Sequence, residues 1–125
     1  MPSTSVATVP RAPESSARLR SLLWTVFACW DCDGERLDDA ALVLSELVGN
    51  AVRHARGDVV QVRLRRTHDV LRIAVQDGST VGPAPRVASV EDENGRGMLI
   101  IEALSLSWGW DPLVNGKVVW ADVGC

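Results

Sequence analysis

Two neighbouring runs of strict alternation constrain this chain more than any other feature. In the first, Val60, Val62 and Leu64 alternate with Gln61, Arg63 and Arg65; in the second, Leu71, Ile73 and Val75 alternate with Arg72, Ala74 and Gln76. Successive strand side chains point to opposite faces, so each run carries an apolar face and a more polar one. The link Thr67-His68-Asp69 is short enough for a hairpin. A hairpin apolar on one side only belongs to an antiparallel sheet covered on one face.

What covers it is read from the rest of the chain. Leu19, Leu22, Leu23, Val26, Phe27 and Trp30 follow helical spacing and predict a helix from about Glu14 to Trp30. That apolar face could equally pack a core or serve a homodimer. Asp31-Cys32-Asp33-Gly34 breaks the helix, and Asp38 is placed to cap a second one running to about Ala55. The second helix has a core stripe of Leu37, Ala41, Leu44, Leu47 or Val48, and Ala51, and Gly57-Asp58 ends it. A third helix is expected over Met98–Leu106, opened by Gly95-Arg96-Gly97. Trp108-Gly109-Trp110 and Val118–Val123 read as two more strands, turned at Asn115-Gly116. The fold expected is α+β: a two-layer sandwich of about three helices on a mainly antiparallel sheet. Residues 1–13, rich in Pro, Ser and Thr, read as a flexible start with a short edge strand near Val6–Val9, leaving 14–125 as one domain. The stretch from Gly78 to Gly95 has no clear period, and long structureless loops in compact domains usually serve as lids or binding segments.

Composition narrows the classes. With 125 residues, 46% hydrophobic and 23% charged, the chain suits one domain with one core. A net charge of −3 argues against direct nucleic-acid binding, which needs a basic face. No run is long and apolar enough to span a bilayer, and the first residues lack a basic start and an apolar signal core. A cytoplasmic protein without membrane contact is the expectation. In that compartment the three cysteines are expected as free thiols. Cys29 and Cys32 form a C-x-x-C, but a redox motif needs a strand before it and a helix after it. A zinc site needs about four ligands, and there is no second pair. Cys125 reads as incidental.

The polar side of the second helix asks for more. Glu46 and Asn50 lie four apart on one face, extended by Arg53 and His54, and flank the apolar stripe. From the helix alone, a solvated face explains them. Asp77 leaves a buried strand and is followed by Gly78, which is a strand end with its turn or a carboxylate fixed at a pocket. Gly95-x-Gly97 opens a helix, where unpaired N–H groups and the positive dipole end suit a phosphate. There is no G-x-x-x-x-G-K-[ST], so a P-loop is excluded.

Taken in order, Glu46-x-x-x-Asn50, Asp77 and Gly95-x-Gly97 resemble the N, G1 and G2 boxes of the histidine-kinase-like ATPase fold, shared by sensor kinases, type II topoisomerases and the Hsp90 chaperone. More narrowly, "LVLSELVGNAVRHA", "GRGMLIIEALSLSWGW" and "GKVVWADV" resemble small stand-alone ATP-binding regulators of actinobacteria, similar to anti-sigma factors that are also serine/threonine kinases. The resemblance spans about Arg18 to Val123. It implies a Bergerat-type ATP-binding domain with ATP and Mg²⁺ as cofactors. On that resemblance Asn50 would be the Mg²⁺ ligand and Glu46 the general base. Asp77 would hold the adenine amino group. Ser79, Gly95, Arg96, Gly97 and Met98 would line the nucleotide, with residues 79–94 as its lid. Arg53 and Arg96 would meet phosphates, and His54 would be structural. The partners implied are a sigma factor, an anti-sigma-factor antagonist, or both. Two functions follow: a kinase phosphorylating the antagonist, or a non-catalytic ATP-binding module that controls a regulator by contact alone. The pattern departs from the family at Ser79, where a glycine is usual, and at Glu91, Asp92, Glu93 and Asn94, where a glycine cluster is usual. An acidic segment beside a triphosphate implies weaker nucleotide affinity and favours the second function.

Overall fold

The computed structural model describes residues 3–54, 56–78 and 93–125, with the side chains of 93–96 not described. Five strands form one antiparallel sheet, β1 (Ser3–Pro10), β2 (Val59–Thr67), β3 (Val70–Asp77), β4 (Ser107–Leu113) and β5 (Gly116–Gly124), in the order β1-β2-β3-β5-β4. Three helices, α1 (Ser15–Cys29), α2 (Leu37–His54) and α3 (Glu93–Leu104), pack on one face. This is the α+β sandwich that the alternation of β2 and β3 predicts.

The register shows why. Leu71 faces Val123, Ile73 faces Ala121 and Val75 faces Val119 across β3 and β5, and all six are buried under the helices. Into that layer α1 sends Leu19 and Leu23, α2 sends Val43, Leu44, Leu47 and Val48, and α3 sends Ile101, each at 3% exposure or less. The face away from the helices is polar. There Arg72 donates to both carboxylate oxygens of Asp122, at 2.8 and 3.0 Å, with its guanidinium 4.1 Å from the Trp120 ring centre.

Several sequence expectations need correction. The edge strand is longer than the Val6–Val9 piece expected, because all of Ser3–Pro10 pairs with β2. The Ser15 hydroxyl, itself buried, donates to the Pro10 carbonyl at 2.6 Å and ties α1 to that strand. The cap ahead of α2 is Asp33, whose carboxylate accepts from the Glu35 N–H at 3.0 Å and opens a 3-10 turn, Gly34–Arg36, leading into the helix; Asp38 already lies inside α2. The β4–β5 turn is Val114-Asn115, and Gly116 pairs with Leu113 as a strand residue.

Neither Cys32 nor Cys125 is a free thiol, for the two form a disulfide with a Cα–Cα distance of 4.6 Å. The end of α1 explains why Cys29 stays out of it. Asp31 takes a left-handed φ of 55° and the Cys32 N–H reaches back to the Phe27 carbonyl at 3.0 Å, a Schellman-type stop. That stop packs Cys32 against the core, while Cys29, in the helix's last turn, remains exposed. The C-x-x-C is thus split between two faces. No helix among the described residues is long and apolar enough to cross a membrane.

Candidate functional site

The polar side of α2 is not turned to open water. Glu46 and Asn50 are both partly buried, and what covers them is the beginning of α3. A Cβ placed on Gly97 would lie 2.6 Å from Glu46 Oε2 and 3.7 Å from Asn50 Oδ1, so the Glu46 carboxylate occupies the space that a side chain at residue 97 would need. Gly95, Arg96 and Gly97 were expected ahead of a helix starting at Met98, but α3 begins at Glu93 and contains all three. Glycine reads as a breaker in sequence; here the close approach of α2 outweighs its low helix propensity. The first N–H groups of α3 have no partner within the helix, so this end still offers donors.

Asn50 is held from two sides. Its Nδ2 donates to the Met98 sulfur at 3.4 Å, and its Oδ1 accepts from Arg53 Nη2 at 3.0 Å. Met98 is buried, at 2% exposure, and Arg53 is exposed. The buried sulfur can take only the amide N–H end, which leaves the carbonyl oxygen on the open side. Gly49 gives the Arg53 guanidinium room, since a Cβ there would lie 3.3 Å from Arg53 Nη1. His54 is exposed at the end of the helix.

A second cluster lies where β3 ends and β5 begins. Asp77 and Lys117 face each other in the register and are both buried, with Nζ 3.9 Å from Oδ2. Backbone closeness holds the cluster shut. A Cβ on Gly116 would strike the Asp77 carbonyl, and one on Gly78 would strike the carbonyl oxygen of Arg56, just past α2. Arg11 fixes that end of α2 by donating to the carbonyls of Gly57 at 2.6 Å and Val52 at 2.9 Å. One helix therefore links both clusters, with Glu46 under Gly97 and, about 12 Å further along at His54, the end that runs on to Gly78.

The structure thus brings Glu46, Asn50, Arg53, Gly97 and Met98 together and sets Asp77 at the far end of the same helix. Of the expected lid, 79–94, residues 79–92 including Ser79 lie outside the described residues, while Glu93 and Asn94 already belong to α3; Gly95 and Arg96 are placed by backbone alone. Lys117 was missed, because Gly116-Lys117 read as the tail of a turn. The signal was its phase: Lys117 continues the inward row of Val119, Ala121 and Val123.

The model of the histidine kinase-like ATPase domain matches residues 9–121. The chain belongs to this family. Solved members of like fold include the RsbU and RsbW domains of Rv1364c from Mycobacterium tuberculosis, with a TM-score of 0.74 and 19% identity over 97% of this chain and 31% of that one. The histidine kinase domain of the blue-light activated kinase EL346 from Erythrobacter litoralis superposes with a TM-score of 0.54 and 20% identity over 92% of this chain and 61% of that one. The ATPase-type domain described here therefore spans less than two thirds of each, and at these identities the likeness is one of fold. No curated protein matches the chain. Membership in the family implies ATP binding.

The donor set fits a magnesium nucleotide. Magnesium prefers oxygen ligands, takes one or two from protein, and keeps water and phosphate for the rest. Asn50 Oδ1 and the Glu46 carboxylate supply oxygens beside the N-terminal turns of α3, and among the described residues there is no cluster of three His, Cys, Asp or Glu to form an all-protein cage. Arg53, which donates to Asn50 Oδ1, is exposed.

Proposed function

We propose that this domain binds ATP with Mg²⁺ between α2 and α3 and is a serine/threonine kinase of the anti-sigma-factor type, phosphorylating an anti-sigma-factor antagonist. The observation that supports it best is the packing of Glu46 and Asn50 against Gly97. A carboxylate and a carboxamide on one helix face at a helix N-terminus give a proton acceptor and a metal ligand over one phosphate position. When bound, MgATP supplies the phosphoryl group and neutralises charge on it. Within the chain, Asn50 would hold the metal with its carbonyl oxygen, and Arg53 would donate to a phosphate oxygen. The N–H groups that open α3 donate to the phosphates. Glu46 accepts the proton of the serine or threonine hydroxyl, and Asp77 accepts from the base amino group. The transfer then rests on positioning and electrostatics.

The new phosphate carries about −1.5 to −2 charge into a protein interface, enough to release a partner. An anti-sigma-factor antagonist and a sigma factor are the partners that the resemblance of the three boxes implies. A cytoplasmic setting goes with this reading. Thiols there oppose the Cys32–Cys125 bridge, so the fold must also hold with it open.

The test is two substitutions read by two assays. Asn50→Ala should weaken Mg²⁺-dependent ATP binding by at least the roughly 10–100-fold that follows loss of even an outer-shell partner. Glu46→Ala should leave ATP binding in place and slow transfer to a seryl or threonyl acceptor by about 10²–10⁴. Undiminished MgATP binding by Asn50→Ala would remove the metal assignment, and undiminished transfer by Glu46→Ala would remove the base.

A further inference from the structure

The inward row of β3 and β5 pairs Leu71 with Val123, Ile73 with Ala121 and Val75 with Val119, then ends in a charged pair, Asp77 with Lys117. Both members are 7% exposed. Burying two charges costs more than an apolar pair of like size, and such a pair often contributes nothing net to stability. At 3.9 Å the two charged groups stand within ion-pair distance. They set a carboxylate acceptor next to an ammonium donor, on backbones that the glycines at 78 and 116 allow to come close.

We propose that Lys117 is a specificity-determining residue that reads the ring nitrogen of the base beside the amino group taken by Asp77. This rests on the ATP-binding reading above and extends it to a residue outside the three boxes. Adenine offers an amino donor next to a bare ring nitrogen acceptor, and guanine offers a carbonyl and an N–H in those places. A carboxylate beside an ammonium matches the first pattern at both points. For guanine in the same pose it sets acceptor against acceptor and donor against donor. An ammonium is a flexible point donor, so it needs only to lie within reach, which its ion pair with Asp77 ensures.

The experiment uses the whole chain with ATP, GTP and 1-deaza-ATP, in which the ring nitrogen is replaced by C–H, read by tryptophan fluorescence or calorimetry. The unsubstituted protein should bind 1-deaza-ATP about ten- to a hundredfold more weakly than ATP, the usual worth of a hydrogen bond to a charged group, and GTP more weakly still. Lys117→Met should bind ATP and 1-deaza-ATP alike. Lys117→Gln, which keeps an N–H donor without the charge, should restore part of the difference. Equal binding of ATP and 1-deaza-ATP by the unsubstituted protein overturns the role of Lys117 and leaves ATP binding standing. So does a preference that persists in Lys117→Met. No ATP binding at all overturns both readings. If Lys117→Met does not fold, the two nucleotides on the unsubstituted protein decide the matter alone.

Discussion

Glu46 and Gly97 occupy complementary space: the carboxylate oxygen of one lies 2.6 Å from where a side chain on the other would begin. This makes Gly97 a sharp probe of the α2–α3 seam. Gly97→Ala brings a methyl group onto the far end of a flexible side chain, so Glu46 can turn away at little cost to the fold. Alanine also favours the helix by about 0.5–1 kcal/mol over glycine. The expected outcome is stability within about 1 kcal/mol of the parent by urea unfolding, with phosphoryl transfer reduced at least tenfold. Retained transfer would mean that Glu46 does not need its place beside the start of α3.

At Gly116 the same substitution should act differently. The added methyl would meet the Asp77 carbonyl and the Gly78 Cα, both backbone, with no flexible group to yield. Overpacking of this kind costs about 1–3 kcal/mol and more where backbone must move. Gly116→Ala should lower the urea midpoint clearly and disturb the Asp77–Lys117 pair. Gly34→Ala, with nothing within 4 Å of its Cβ, should leave the midpoint close to the parent's.

The phase of α2 can be checked by two leucines two residues apart. Leu44 is 1% exposed and Leu42 is 43% exposed. Leu44→Ala should cost about 2–5 kcal/mol through lost burial and a residual cavity. Leu42→Ala should stay near the ±0.5 kcal/mol of surface changes. Similar losses at the two positions would mean that the helix is rotated from the orientation that sets Glu46 and Asn50 against α3.

How far the sequence foretold this arrangement depends on the kind of signal. Elements carried by periodicity were legible: the β2–β3 hairpin, the apolar stripe of α2, and hence the one-sided sandwich. So was the pairing of Glu46 with Asn50, because a step of four on a helix fixes a face. Whatever depended on distant backbone approach was not. Gly97 lies inside α3 because of where Glu46 stands, 51 positions earlier in the numbering, and no local preference encodes that. The Cys32–Cys125 bridge joins residues 93 apart, and neither cysteine has a local partner pattern that points to the other. Lys117 was readable in principle from its phase along β5, but a lysine after Asn-Gly invites a turn reading, and only the β3 register sets it opposite Asp77.

The bridge between Cys32 and Cys125 gives the last prediction. It closes a loop spanning 93 positions and ties the end of β5 to the turn that leads into α2. In the chain-entropy account, a loop of about 100 residues contributes up to about 4.7 kcal/mol, and measured values more often fall near 2–4 kcal/mol. Cys32→Ser or treatment with reductant should therefore lower the melting temperature and the urea midpoint substantially. The 22 buried apolar residues among those described form one core that contains no cysteine, so the reduced chain should stay folded at room temperature. ATP affinity should change little, because Glu46 lies 14 positions beyond Cys32, half-way along a well-packed helix. Cys29→Ser should change neither stability nor binding, since that thiol is exposed and unpaired. Thermal unfolding of the oxidised, reduced, Cys32→Ser and Cys29→Ser forms, each with and without MgATP, separates these outcomes. A reduced form that melts with the oxidised one would show that the C-terminal strand needs no tether.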